Sequence, residues 1–173
     1  MGKTSLIFRY VSNSFPKEHD PTVEDTYSIF IETKKGEGRE FKILDTAGEE
    51  DYQNMLDQWI SSANGFLLVF AINDLETFQA LEEKAKRIQK NEADKLPIIL
   101  VGNKSDLKED RKVTVQQAEE FATRLGAKYY ETSALTDFNG NCKVVFQECA
   151  KLILNKISGS DKKQKKCSRC SIF

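Results

Sequence analysis

Apolar residues recur along this chain in two rhythms, and the rhythm changes from segment to segment. Between Lys3 and about Asn13, Leu6, Phe8, Tyr10 and Val11 are spaced for a short helix. A polar stretch with Pro16 and Pro21 reads as a loop. Residues 26–33 are rich in β-branched and aromatic types, Lys34 to Gly38 reads as a turn, and Phe41 to Leu44 forms a second run, which together predict a hairpin. Gly65 to Ile72 has no polar alternation, the signature of a strand covered on both faces of a parallel sheet. Leu75 to about Asn91 carries Phe78, Leu81, Ala85 and Ile88 at helical spacing, and Ile98 to Val101 is a further apolar strand ending at Gly102. Thr114 and Gln117 have capping-box spacing for a helix that stops at Gly126. Lys128 to Thr132 predicts a last short strand, and Asn141 to about Ile157 a closing helix. Strands alternating with helices mean an α/β fold with a mostly parallel sheet.

Length changes this picture little. At 173 residues the chain makes one ordinary domain, placed at 1–158, and residues 159–173 read as a flexible tail. No run approaches the roughly 18 apolar residues needed to span a bilayer, and no signal-peptide pattern opens the chain. Synthesis in the cytosol and reduced thiols are therefore expected at Cys142, Cys149, Cys167 and Cys170. Charge is uneven. Five basic residues against Asp161 give the segment 161–173 a charge of +4, which leaves −5 on the first 160 residues. An acidic body with a basic tail argues against nucleic acid and for an anionic surface met by the tail.

The candidate chemistry lies at the ends of these elements. Met1-Gly2-Lys3-Thr4-Ser5 reads as the second half of a phosphate-binding loop, with Lys3 for the phosphates and the Thr4 hydroxyl for Mg²⁺. In parallel sheets ligands bind beyond the carboxyl ends of the strands. There stands Asp45-Thr46-Ala47-Gly48, where the carboxylate suits the outer shell of Mg²⁺ and the Gly48 amide suits a terminal phosphate. After the run 98–101 comes Gly102-Asn103-Lys104-Ser105-Asp106. A fixed carboxylate such as Asp106 accepts both the N1 and exocyclic amino hydrogens of guanine. Adenine lacks that donor pair, and such a site rejects an analogue without it by ~10⁴-fold or more.

Taken together in this order and spacing, Gly2-Lys3-Thr4, Asp45 to Gly48, Asn103 to Asp106 and Glu131-Thr132-Ser133-Ala134 resemble the Ras family of small GTPases from Gly2 to the end of the chain. The resemblance implies a P-loop fold with helices on both faces of the sheet, and a nucleotide site of Gly2, Lys3, Thr4, Ser5, Phe15, Thr22, Asp45, Gly48, Asn103, Lys104, Asp106, Ser133, Ala134 and Leu135. By the same resemblance Phe15 stacks on guanine, Thr22 joins Thr4 as a Mg²⁺ ligand, and Lys3, Gly48 and Glu49 are the catalytic groups. The stretch His19-Asp20-Pro21-Thr22-Val23-Glu24-Asp25-Thr26-Tyr27 resembles the effector segment, switch I, and residues 49 to about 62 switch II. GTP or GDP with Mg²⁺, effector proteins, an exchange factor and a GTPase-activating protein are the implied cofactors and partners of a monomer. Three positions depart from the family: Glu49 stands where glutamine is usual, His19 where tyrosine is usual, and Leu135 where lysine often follows Ser-Ala.

Cys170-Ser171-Ile172-Phe173 is a C-a-a-X ending whose terminal Phe favours a geranylgeranyl group. One lipid anchors only marginally, so Cys167, as a palmitoylation candidate, and the lysine cluster are expected to supply the second signal at the inner leaflet of the plasma membrane. The resemblance also expects a first strand and the opening of the phosphate loop before Gly2, with that strand flanked by the runs 41–44 and 65–72. Without it, about four buried aliphatic side chains are lost, a cost of about 6 to 12 kcal/mol. The alternative expectation is therefore an incomplete, catalytically incompetent binding module; an ATP-dependent kinase or ATPase is disfavoured by Asn103 to Asp106.

Overall fold

A computed structural model describes residues 1–16, 24–32, 38–46, 53–90, 96–137, 140–159 and 168–173. The described elements run α1 (Lys3–Ser12), β1 (Glu24–Glu32), β2 (Gly38–Thr46), α2 (Gln53–Ser62), β3 (Gly65–Ala71), α3 (Leu75–Lys90), β4 (Ile98–Asn103), α4 (Val115–Leu125), β5 (Lys128–Glu131), α5 (Asn141–Gly159) and β6 (Ser168–Ile172). The six strands form one sheet in the order β1-β2-β6-β3-β4-β5. Only β1 and β2 pair antiparallel; every other neighbour is parallel. The expected α/β architecture therefore holds.

Two cores lie on opposite faces of the sheet. One gathers Leu56, Trp59 and Ile60 of α2 with Leu81 and Ile88 of α3 and Phe121 of α4. The other gathers Leu6 and Ile7 of α1 with Val145, Phe146, Cys149 and Ile153 of α5. Helices cover both faces, so β3 and β4 are buried at every residue, which is why their sequences show no alternation. The capping box of α4 forms as its sequence requires: Thr114 Oγ1 accepts from the Gln117 amide at 3.2 Å, and Gln117 Oε1 accepts from the Thr114 amide at 2.9 Å.

One element departs from the expectations. The sheet position between β2 and β3, foreseen for a strand preceding Gly2, is filled by β6 from the other end of the chain. Ile43 pairs with Cys170 on one side and Gly65 with Cys170 on the other. The reading of 159–173 as a flexible tail thus does not hold for 168–173. The reason is alternation: Cys170 and Ile172 enter the α1/α5 core, while Phe173 enters the opposite core between Trp59 and Phe66. A six-residue segment with apolar groups aimed both ways suits the middle of a two-faced sheet better than water does. Helix α2, within residues read as a switch, was not foreseen either.

The end of β5 is tied to the loop before α4. Glu131 accepts from both Arg111 terminal nitrogens, at 2.8 and 2.9 Å, and from Tyr129 Oη at 2.7 Å. Burial opposes the carboxylate form, but the Arg111 and Tyr129 hydrogen bonds outweigh it and hold the Glu131 carboxyl below its ordinary 4.5. A depressed carboxyl adds stability above the unfolded-state value, and that stability is lost as pH falls through the lower folded-state value. Glu131→Gln is expected to cost about 1 to 2 kcal/mol at neutral pH, and to flatten the stability loss below pH 4.5. Urea midpoints measured from pH 3 to pH 7 check both.

Candidate nucleotide site

Helix α1 starts at Gly2 in a left-handed conformation, φ 85°, with no side-chain cap on its first turn. A Cβ at Gly2 would lie 2.8 Å from Asn103 Nδ2. Both the backbone angle and the close approach require glycine here. First-turn amides that no side chain caps favour an anion. Lys3, next in sequence, is 7% exposed. Burial, reinforced by nearby Lys84 and opposed by Asp45, lowers its ammonium to about 8. A buried lysine whose charge is disfavoured is one that an incoming phosphate would restore. Ser5 sits half-buried in the same turn.

Thr4 and Asp45 meet although 41 residues separate them. Thr4 Oγ1 donates to Asp45 Oδ2 at 2.7 Å, and Asp45 is fully buried at the end of β2. Hydroxyl and carboxylate oxygens are the hard donors that Mg²⁺ takes, and their placement beside the α1 amides and Lys3 fits a metal shared with phosphate oxygens. Thr22, Gly48 and Glu49, the other groups expected there, lie outside the described residues, as do His19, Asp20, Pro21 and Val23.

Asn103 joins this end of the site to the base end. Its Nδ2 donates to the Met1 carbonyl at 3.1 Å, while its Oδ1 accepts from Thr132 Oγ1 at 3.2 Å and from the Ala134 amide at 3.3 Å. At 1% exposure it reaches its partners from within the protein, so its role is to hold two loops in register. Lys104 follows with φ 63°, the left-handed turn that carries the chain out of β4. Asp106 is exposed, and Ser133 Oγ donates to its Oδ1 at 2.5 Å. Ser133 Oγ in turn accepts from the Thr136 amide and hydroxyl at 3.1 and 2.9 Å. The carboxylate is thus held at one oxygen with the other side open to solvent, the geometry a paired donor edge needs.

Arg9 was not foreseen. From the last turn of α1 its Nε donates to the Ala134 carbonyl and its Nη2 to the Leu135 carbonyl, both at 2.8 Å, and Nη1 donates to Asn13 at 2.9 Å. It clamps the base-side loop onto the helix that carries the phosphate end. A basic residue late in α1 was a visible signal, but one that equally suits the helix dipole. Phe15 and Leu135, both expected at the base, are exposed large apolar side chains, 43% and 54%.

Of the effector stretch, Glu24 to Tyr27 belong to β1, the outermost strand of the sheet. Glu24 accepts from the Trp59 indole at 2.8 Å, and the Tyr27 ring meets Phe8 at 5.9 Å edge-on. Cys170, expected in an accessible tail, is instead 5% exposed, with its Sγ 3.3 Å from Cys149 Sγ. Cys167 lies outside the described residues.

This geometry coincides with what sequence comparison finds. Residues 1–155 match the Ras family. The Ras-related protein O-RAL of Diplobatis ommata is 40% identical over 172 residues, covering 98% of this chain and 82% of the relative. Ras-related protein Ral-B of Mus musculus gives the same figures. Protein ras-1 of Neurospora crassa is 41% identical over 140 residues, covering 80% of this chain and 65% of the relative. By this match over most of its length, on a mostly parallel sheet, the chain belongs to the Ras family of small GTPases.

Proposed function

We propose that this chain is a membrane-anchored GTP/GDP switch: it binds guanine nucleotide with Mg²⁺, signals to effector proteins in its GTP state, and ends the signal by hydrolysis. The observation that carries the reading is the pairing of Thr4 with Asp45 at one end and Ser133 with Asp106 at the other, held in register by Asn103. Lys3 and the α1 amides take the phosphates, Asp106 the guanine edge, and Phe15 the face of the base. Thr4 and Thr22 would hold the metal, which supplies charge neutralisation at the phosphate oxygens. An exchange factor and a GTPase-activating protein complete the cycle at the cytoplasmic face of the plasma membrane. The anchoring part rests on Cys170, Cys167 and the lysines of the tail.

Thr4→Ala tests the metal end. It is expected to abolish the Mg²⁺ dependence of GDP binding and to weaken affinity about 10- to 100-fold, since a hydrogen bond to a charged group contributes about 1.5 to 3 kcal/mol. Titration of fluorescent GDP with Mg²⁺ or with chelator reads the effect. Unchanged Mg²⁺ dependence contradicts the assignment, and absence of nucleotide binding by the parent favours the non-catalytic binding module. Glu49 sets the rate of the chemical step. A glutamate there adds negative charge near the γ-phosphate and offers no hydrogen to it. Glu49→Gln is therefore expected to raise single-turnover GTP hydrolysis about tenfold or more, the scale of one donor aimed at developing charge. Equal rates would contradict that role.

A further inference from the structure

Arg9 is not among the groups assigned to the nucleotide, yet its guanidinium ties together two segments that carry them. Nε and Nη2 donate to the Ala134 and Leu135 carbonyls, both at 2.8 Å, while Nη1 donates at 2.9 Å to the carbonyl of Asn13, the residue that ends α1 and stands two before Phe15. All three acceptors are backbone oxygens. Asn13 itself is held in a left-handed turn, φ 52°, and its amide returns a hydrogen bond to the Arg9 carbonyl at 3.1 Å. Side chain and main chain of Arg9 thus fix the same turn.

The grip on Leu135 reaches Asp106 through a peptide plane. In a planar trans peptide the carbonyl and the amide that follows it point in opposite directions. With the Leu135 carbonyl bound to Arg9, the Thr136 amide is aimed away from Arg9, and it donates to Ser133 Oγ at 3.1 Å. Ser133 Oγ in turn donates to Asp106 Oδ1 at 2.5 Å. One residue earlier, Arg9 holds the Ala134 carbonyl while Asn103 Oδ1 accepts from the Ala134 amide at 3.3 Å. Arg9 therefore fixes the peptides on which the Asp106 hydrogen bond depends. A positive charge in the last turn of α1 also complements the helix dipole, but that role asks only for charge. Binding three carbonyls at once asks for the planar fork of a guanidinium, whose geometry the compact ammonium of a lysine does not reproduce.

We propose that Arg9 is a positioning residue for guanine recognition: by fixing the 134–136 peptides against the end of α1 it orients the Asp106 carboxylate, and so sets the preference for a base that presents two donors. This inference rests on the nucleotide reading given above and extends it to a residue outside the motifs.

The test compares the parent chain, Arg9→Lys and Arg9→Ala by competition of GDP and inosine diphosphate against fluorescent GDP, with a urea midpoint for each protein to establish that it is folded. Inosine keeps the N1 hydrogen of guanine and lacks the exocyclic amino group. The affinity ratio of the two diphosphates therefore measures the second hydrogen bond to Asp106, about 10- to 100-fold for a bond to a charged group. In Arg9→Ala that ratio is expected to fall about tenfold, and in Arg9→Lys at least about threefold, because the charge stays while the fork is lost. Equal losses of affinity for both diphosphates, with the ratio unchanged, would leave Arg9 a structural role only and overturn the inference. A ratio in Arg9→Lys equal to the parent's would reduce the role to charge at a helix end and overturn it too; if Arg9→Ala does not fold, this comparison decides alone. A parent that binds neither diphosphate, or both equally, overturns the guanine reading itself and the inference with it. A parent that prefers GDP keeps that reading standing even where the variants leave the ratio unmoved.

Discussion

A chain ending at Cys167 is expected to lose its cooperative unfolding transition altogether. Removing β6 takes Ile172 and Phe173 out of the two cores and leaves the facing edges of β2 and β3 unpaired in the middle of the sheet. Two fully buried large side chains contribute about 3 to 6 kcal/mol together. The backbone groups that lose their partners add about 1 to 3 kcal/mol for each one left buried and unsatisfied. That total reaches the roughly 5 to 15 kcal/mol by which a whole domain is stable. Phe173→Ala, a gentler change, is expected to cost about 3 to 5 kcal/mol because the ring fills space between Trp59 and Phe66. Circular dichroism during urea unfolding reads both variants. A truncated chain that melts like the parent would mean that 168–173 adds nothing to the sheet.

The second large effect is expected at Asp106. Its carboxylate is held by Ser133 with its other side open, and two hydrogen bonds to one charged group are at stake. Asp106→Ala is expected to weaken GDP binding by roughly 10² to 10⁴, at about 1.5 to 3 kcal/mol for each bond. Asp106→Asn tests the same geometry in reverse. The amide offers one donor and one acceptor, which complements the oxygen and N–H of a xanthine edge and not the two donors of guanine. Xanthosine diphosphate should therefore gain affinity where GDP loses it. Competition titrations with the two diphosphates measure the exchange; unchanged preference for GDP would move base recognition away from Asp106.

Much of this was legible in the sequence because the signals are local. Unbroken apolar runs mark β3 and β4, and Thr114 with Gln117 marks the start of α4. Thr4, Asp45, Asn103, Asp106 and Ser133 were each readable from short motifs, and the structure pairs Thr4 with Asp45 and Ser133 with Asp106, with Asn103 bonded to the Ala134 amide. What the motifs could not convey was the division of labour. Asn103 is engaged with backbone and Thr132, so it ties the start of the chain to the loop after β5, a role set by burial. Arg9 looked like an ordinary charge at a helix end, and only the fold brings it against the Ala134 and Leu135 carbonyls. Residues 168–173 show the opposite failure. Their composition fits both a lipid-bearing end and a two-faced strand, and nothing within six residues tells which neighbours they will meet. Sheet position is a non-local property: β6 pairs with residues more than 100 positions away. Helix α2 was read only as part of a switch segment, although Leu56, Trp59 and Ile60 fix it on the core.

The central claim, that one site holds guanine nucleotide between Thr4–Asp45 and Asp106–Ser133, is tested most directly by equilibrium binding of fluorescent GDP to the whole chain with Mg²⁺ present or chelated, followed by competition with GDP, GTP and ATP. Saturable, Mg²⁺-dependent binding displaced by GDP and GTP but not by ATP is the predicted result. No saturable binding, or displacement by ATP as readily as by GTP, would contradict it.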